Sequence, residues 1–108
     1  MSDAYALIHG AFRWQVPEHL SIAELCCGRW ARETPDAPAI LFDSDSGCRA
    51  QYSFGQLQRA ANRLSNALRR LGVAPSDRVA LVLPQRFETA VAHVALYRLG
   101  AVAMPLSI

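Results

Sequence analysis

The most regular hydrophobic pattern of the chain lies in residues 53–72. Apolar positions recur there with the period of a helix and form one stripe under about 130° wide. Ser53 and Gln56 have the spacing of a capping box, and Gly72 lies where helices often end in a left-handed conformation. This pattern predicts a helix over 54–71. The members of the stripe are Leu57, Ala60, Ala61, Leu64, Ala67, Leu68 and Leu71.

Residues 78–105 show a different pattern, in which two apolar runs flank a helical segment. Val79–Leu83 is continuously apolar, as expected of a strand covered on both faces. A helix is predicted at 87–99, ended by Gly100, and Ala101–Met104 is the second predicted strand. Such a unit is expected to cross over right-handed, with its strands parallel. The helix residues expected to face inward are Ala90, Val91, Val94 and Ala95.

The chain before residue 53 predicts an arm, a helix and a hairpin. Residues 1–20 are interpreted as an N-terminal arm with a short helix near its start, held against the body by Phe12 and Trp14. The short helix would be lined by Ala4, Leu7 and Ile8. Ser21 and Glu24 have capping-box spacing, which predicts a helix over 21–32 in which Glu24 reaches back to the cap amide. The apolar residues placed on one face of that helix are Ile22, Leu25, Cys26 and Trp30.

Turn residues at 43–47 separate two short extended runs, Ala39–Phe42 and Arg49–Tyr52, and this predicts a β-hairpin. The predicted fold class is therefore α/β: helix, β-hairpin, helix, then a parallel strand–helix–strand unit. A parallel strand pair needs cover on both faces and neighbours at its edges. Because the chain ends soon after the second strand, we expect it to open a larger α/β enzyme whose chemistry lies beyond Ile108.

Composition and charge narrow the function classes. The chain has 108 residues, of which 52% are hydrophobic and 19% charged, which is typical of one folded domain. A net charge of +2 is too small to indicate nucleic acid or an anionic membrane as partner. No apolar run reaches the roughly 18 residues of a membrane span. Asp3, Arg13 and Glu18 interrupt the start of the chain, so no signal peptide is predicted.

All eleven basic residues are arginines, so no lysine-dependent step can be completed by this chain alone. Cys26, Cys27 and Cys48 form neither a Cys-x-x-Cys pair nor a ligand cluster. They are interpreted as small buried thiols of a protein in the reducing cytoplasm.

Several residues have a possible functional interpretation, and each also has a structural interpretation. His93, on the helix between the two parallel strands, is a general base only if a pocket and an orienting partner are near; otherwise it is a partly buried structural residue. His9 and His19 are expected to be exposed. The arginine face of the 54–71 helix suggests binding to nucleic acid or to anionic lipid. A solvated face opposite the core is the commoner explanation. That face carries Arg59, Arg63 and Arg70.

The segment Leu83-Pro84-Gln85 follows the first parallel strand, at the edge where α/β enzymes bind ligands. It is the one stretch of this chain expected to approach a substrate in an intact enzyme. Glu88, next to Arg86, is explained by the positive end of the helix dipole. Asp43 and Asp45 are interpreted as turn residues and not as metal ligands.

Nearly the whole chain resembles the start of AMP-forming acyl-CoA synthetases, of the acetyl to medium-chain type, in the adenylate-forming superfamily. The resemblance is carried by Gly72–Gln85 and by Glu88–Leu106. Upstream segments match in order and spacing, namely Phe12–Pro17, Arg29–Ala31 with Pro35–Pro38, and Tyr52–Leu57. It implies that 21–108 is part of the N-terminal subdomain of an AMP-binding domain.

The resemblance implies two-step chemistry with ATP, Mg²⁺ and coenzyme A in the intact enzyme. A carboxylate attacks ATP to give an acyl-adenylate and pyrophosphate, and a thiol then takes the acyl group. The family's phosphate loop ending in Pro-Lys-Gly, its adenine and ribose segments and its catalytic lysine are absent from this sequence. No catalytic, cofactor-binding or metal residue of the family therefore maps onto this chain.

Two hypotheses follow from the sequence. In the first, the chain is an N-terminal synthetase segment that is inactive alone and is completed by the remainder of the synthetase. In the second, it is a binding or assembly module that pairs its open sheet edge with a self-copy or another chain.

Overall fold

A computed structural model describes residues 3–107 of the chain. The described residues form the predicted mixed α/β arrangement of a helix, a hairpin, a helix and a parallel unit. Their elements, in chain order, are α1 (Ala4–Ala11), a π-helical turn (Glu24–Gly28), α2 (Arg29–Glu33), β1 (Pro38–Asp43), β2 (Arg49–Ser53), α3 (Phe54–Arg70), β3 (Arg78–Leu81), α4 (Phe87–Leu99) and β4 (Val102–Pro105).

Two small sheets organise the described residues. β1 and β2 pair antiparallel, with Asp43 opposite Arg49, and this confirms the hairpin. β3 and β4 pair parallel, with Arg78 opposite Val102, and this confirms the strand–helix–strand unit. Among the described residues no helix is both long and apolar enough to cross a bilayer.

Within residues 3–107 only one face of β3 is covered, so the prediction of cover on both faces stays a prediction for a larger protein. β3 ends at Leu81, and Val82 just beyond it is 58% exposed. α4 covers one face of the β3–β4 sheet, where Leu81 is buried. The opposite face carries Ala80, Val102 and Met104, which are all exposed. The continuous apolar run therefore reflects an apolar face that nothing in residues 3–107 covers.

Both ends of α3 follow from local sequence. The Gln56 N–H donates to the Ser53 hydroxyl at 3.2 Å, and the Ser53 N–H donates to the Gln56 side-chain oxygen at 2.8 Å. At the other end Gly72 has a φ of +95°, a conformation that glycine adopts without a steric penalty. This turn lets the Val73 N–H donate to the Leu68 carbonyl at 3.0 Å, the closing bond of a Schellman motif.

Two buried clusters pack against two sides of α4 and form the core. One buried cluster joins α3 and the 22–28 segment to α4, and a second joins α4 to the β3–β4 sheet. Because α4 is covered on both sides, its apolar residues lie all round the helix, beyond the single inward face that was predicted. The first cluster contains Ala23, Cys27, Leu57, Ala61, Val91, Val94 and Ala95, and the second contains Leu81, Ala92, Leu96 and Ala101.

The helix predicted over 21–32 is present, but its buried face was predicted wrongly. The structure buries Ala23 and Cys27, whereas Ile22 and Leu25 are exposed. The π-helical turn at 24–28 changes the angular position of the residues after it, and small side chains let this segment approach α3 closely. Only half of the predicted capping box forms, because the Glu24 N–H donates to Ser21 Oγ at 3.2 Å while the Glu24 carboxylate pairs with Arg32.

Two further packing predictions are wrong. Phe12 and Trp14 are 54% and 83% exposed, and they pack edge to face on each other at 5.0 Å instead of holding the arm against the body. Leu71 and Ala67, assigned to the core stripe of α3, are also exposed. The helix ends at Arg70, so Leu71 already lies in the turn that leaves the core.

Candidate active-site edge at the carboxyl end of β3

The segment Leu83-Pro84-Gln85 leaves the carboxyl end of β3 and enters α4 at Phe87. One hydrogen bond fixes it to the first turn of α4, and a second closes that turn itself. The Thr89 hydroxyl donates to the Pro84 carbonyl, and the Thr89 N–H donates to the Arg86 carbonyl at 3.1 Å. The sequence predicted a strand that runs to Leu83 and is ended by Pro84, but β3 ends at Leu81, and the Thr89 side chain reaches back over the loop.

An open cleft of about 260 Å³ lies at this edge and is lined by Leu83, Pro84, Arg86, Glu88 and Thr89. The Arg86 guanidinium lies 3.7 Å from the Glu88 carboxylate, and both side chains are mostly exposed. The carboxylate also lies in the first turn of α4, where the helix dipole favours negative charge. The arrangement supplies a charged rim, and the residues that line the cleft include no nucleophile held by a base.

A second, apolar cleft of about 360 Å³ runs between α3, α4 and β3. Its chemistry suits apolar side chains and offers no group for proton transfer. Together the two clefts make the carboxyl end of β3 a surface that can position a bound ligand. The lining residues of the apolar cleft are Leu64, Leu68, Val79–Leu83, Ala92 and Leu96.

The three histidines are not brought together. His93 is half-buried in α4, and its Nδ1 lies 2.9 Å from the Thr89 carbonyl, one helical turn earlier. Because a carbonyl only accepts, Nδ1 carries the proton in this contact. This geometry matches the structural interpretation of His93. His9 is exposed and stacks on Tyr5 at 5.6 Å, and His19 is exposed in the arm, as predicted.

Of the two acidic residues predicted to lie in the hairpin turn, Asp45 does so, whereas Asp43 is the last residue of β1. The Asp43 carboxylate accepts from Arg49 Nε at 3.1 Å across the two strands, and Asp45 is exposed in the turn. Within residues 3–107 there is no group of three or more His, Cys, Asp or Glu side chains placed to hold a metal ion. The arginine face of α3 is solvated at Arg59, Arg63 and Arg70.

The three cysteines are free, but only Cys27 is buried, so the prediction of three buried thiols is wrong for Cys26 and Cys48. Cys26 lies on the solvent side of the π-helical turn, and Cys48 lies in the hairpin turn. Cys27 Sγ contacts the Phe54 carbonyl at 3.9 Å. Burial raises the pKa of the Cys27 thiol because desolvation disfavours the thiolate. This thiol is therefore a packing residue and a poor nucleophile.

The pair Glu24–Arg32 was missed by sequence reasoning. Its hydrogen bond with Arg32 lowers the pKa of the Glu24 carboxyl, and the same contact raises the pKa of Arg32. Residues eight apart do not face each other closely on a regular α-helix, so the usual search for charges three or four apart does not find them. The π-helical turn contains an extra residue, which brings both side chains to the same face.

Comparison with known proteins gives this geometry a family context. A family model described as "AMP-binding enzyme" matches residues 27–108. The chain is 38% identical over 100 residues to an acetyl-coenzyme A synthetase of Psychrobacter cryohalolentis and 39% identical over 101 residues to one of Xanthomonas oryzae pv. oryzae. Each match covers 92% of this chain but only 15% and 16% of those relatives, respectively. The chain therefore spans about 15% of the length of the curated relatives it matches.

Solved structures agree with these sequence matches. Acetoacetyl-CoA synthetase from Streptomyces lividans superimposes with a TM-score of 0.78 at 33% identity, over 87% of this chain and 14% of that one. A fatty acid AMP ligase from Legionella pneumophila has the same fold here, with a TM-score of 0.75 at 20% identity over 82% of this chain and 15% of that one. Because the family model matches most of the chain, this protein belongs to the AMP-binding enzyme family.

Proposed function

We propose that this chain forms the N-terminal part of the large domain of an AMP-dependent acyl-CoA synthetase. That enzyme would join a carboxylate to the AMP portion of ATP, with release of pyrophosphate, and then transfer the acyl group to the thiol of coenzyme A with release of AMP. The observation that carries the proposal is the likeness of this fold to acetoacetyl-CoA synthetase at 33% identity.

Within that enzyme, we propose that this chain helps to form the border of the ligand cleft and supplies no catalytic group. The β3–β4 sheet has an apolar face that residues 3–107 leave uncovered, and the carboxyl end of β3 carries the Leu83-Pro84-Gln85 loop. We propose that the remainder of the synthetase covers the apolar face and that the loop borders its ligand cleft. Residues 21–108 then belong to the AMP-binding domain, and residues 1–20 form an arm on its surface.

ATP, Mg²⁺ and coenzyme A are the cofactors proposed for the intact enzyme. Residues 3–107 contain no group of three or more His, Cys, Asp or Glu side chains placed to hold a metal ion. We assign no ligand for these groups to this chain and expect it to be inactive alone. A reducing, cytoplasmic location is proposed because exposed thiols at Cys26 and Cys48 stay free most readily in such a compartment.

A chimera tests the proposal directly. In acetoacetyl-CoA synthetase from Streptomyces lividans, the segment that matches this chain would be replaced by residues 22–107, and acetoacetate-dependent ATP–pyrophosphate exchange would be measured. We expect a folded chimera that retains exchange activity. The matched control carries Ala95→Arg, which buries an unpaired charge in the core beside α4 and abolishes folding. A well-folded chimera without exchange activity would contradict the proposal.

The second candidate function is a non-catalytic assembly module that pairs its open sheet edge with a self-copy. The exposed apolar residues at and beyond β3 and β4 favour it, because such surfaces mark interaction sites. Sedimentation of the 108-residue chain separates the two candidates. A discrete dimer with one cooperative unfolding transition supports the module, whereas a monomer that binds the remainder of a synthetase supports the segment.

A further inference from the structure

A polar groove lies between the C-terminal half of α3 and the last turn of α4. It has a volume of about 380 Å³, and its residues are different from those of the two clefts at β3. Its charged members are both arginines. The groove is lined by Asn62, Ser65, Asn66, Arg69, Arg98 and Leu99.

The two guanidinium groups of the groove retain unused donors. Neither Arg69 nor Arg98 forms an ion pair with a carboxylate in residues 3–107. Arg69 Nη2 donates to the Asn66 side-chain oxygen at 3.3 Å. A guanidinium carries five N–H donors and no acceptor, so this single bond leaves most of the capacity of Arg69 free.

The two carboxamides of the groove also present donors. The Asn66 oxygen already accepts from Arg69, and the Asn62 oxygen accepts from Gln58 Nε2 at 3.2 Å. Each oxygen thus accepts one hydrogen bond, while the NH₂ groups of both side chains remain available as donors. The Ser65 hydroxyl adds one more donor. The groove therefore combines two positive charges with an excess of donors over acceptors.

The helix dipole alone does not account for this arrangement. Arg69 and Arg98 lie in the last turns of α3 and α4, where any cation is favoured. Arg70 lies in the same last turn of α3 and satisfies the same preference, yet it is outside the groove. The dipole also places no requirement on Asn62 and Asn66, whose oxygens are both engaged by neighbours.

We propose that this groove binds a multivalent oxyanion of the phosphate class. Guanidinium groups bind such anions through paired, charge-assisted hydrogen bonds, and carboxamide and hydroxyl donors complete the coordination. The volume falls within the range of about 300–1,000 Å³ that is typical of small-molecule sites, which suffices for a diphosphate. Free inorganic phosphates and the phosphate tail of a nucleotide share this chemistry. The proposal is independent of the proposed synthetase reaction.

The test is a titration of the full 108-residue chain with inorganic pyrophosphate at low ionic strength, followed by NMR of the side-chain NH₂ groups. We expect saturable shifts at Asn62 and Asn66. Arg69→Gln and Arg98→Gln should each weaken binding by about tenfold, because each removes charge-assisted bonds. Arg70→Gln removes the same charge from the adjacent position and should change the affinity by less than about twofold.

The ligand series identifies the source of the anion. Metal-free ATP that binds more tightly than pyrophosphate at the same NH₂ groups indicates a nucleotide, and tighter binding of pyrophosphate indicates a free inorganic anion. Adenosine should leave Asn62 and Asn66 unshifted. The proposal is overturned by non-saturating shifts, by equal shifts with adenosine, or by a loss of affinity in Arg70→Gln as large as that in Arg69→Gln. All three arginines are exposed, so these variants are expected to fold.

Discussion

The ring of Tyr52, near the end of β2, stacks on the ring of Phe87, the first residue of α4. Their centroids lie 4.0 Å apart, and their planes differ by 13°. The stack joins the β-hairpin to the parallel strand–helix–strand unit, which are far apart in sequence. It also lies beside the loop that carries Pro84 to the start of α4, so the position of the candidate active-site edge depends on it.

We predict that Tyr52 and Phe87 contribute to stability as a coupled pair. Each change to alanine should lower the free energy of unfolding by about 2–3 kcal/mol, since both rings are half-buried. The double variant should lose about 1 kcal/mol less than the sum, which is the energy of the stack itself. Urea unfolding of the four proteins measures this coupling, and strictly additive losses would contradict it.

The exposed pair Phe12–Trp14 is the matched control for that cycle. Its rings also touch, at 5.0 Å, but both lie in the arm and contact solvent. Alanine at either position should change the free energy of unfolding by less than about 0.5 kcal/mol.

The capping box of α3 gives a second prediction. Ser53→Ala removes the acceptor of the Gln56 N–H and should lower the free energy of unfolding by about 1 kcal/mol. Thermal unfolding followed by circular dichroism is a suitable measurement. Ser107→Ala, beyond β4 and exposed, is the control and should leave stability unchanged. If both variants unfold alike, the hydroxyl of Ser53 contributes nothing as a cap.

The sequence predicted those parts of the fold that short-range signals determine. The capping pair Ser53–Gln56 and the turn glycine Gly72 defined α3 to within one residue, because caps and left-handed turns act over a few bonds. The parallel unit was equally predictable, since Gly100 ends α4 and two apolar runs flank that helix.

Long-range packing was not predictable from the same patterns. Ile22 and Leu25 are larger and more apolar than Ala23 and Cys27, yet the small pair is buried. The π-helical turn decides which side of the segment meets α3, and periodicity with a constant helical repeat cannot detect it. The polar groove was missed for a related reason, because a search for apolar and charged faces passes over carboxamides such as Asn62.

Burial of Cys27 predicts a difference in thiol reactivity. Iodoacetamide at mildly alkaline pH should label Cys26 and Cys48 in the native protein, while Cys27 stays protected until the chain unfolds. The raised pKa of Cys27 adds to its protection, because only the thiolate attacks the reagent. Peptide mapping by mass spectrometry, with and without urea, measures the labelling rate of each of the three cysteines. Native labelling of Cys27 as fast as Cys26 would contradict its burial.

The contact between Glu24 and Arg32 predicts how the free energy of unfolding changes with pH. Because Arg32 lowers the pKa of Glu24 in the folded protein, the unfolded chain takes up a proton first as pH falls. The stabilisation is therefore complete above the ordinary pKa of glutamate and is lost as pH falls through the lowered value. NMR titration of the Glu24 carboxyl should show the lowered pKa, and Arg32→Gln should raise it toward the usual range. Arg29→Gln is the control, because Arg29 lies 4.4 Å over the Trp30 ring and should leave that pKa in place.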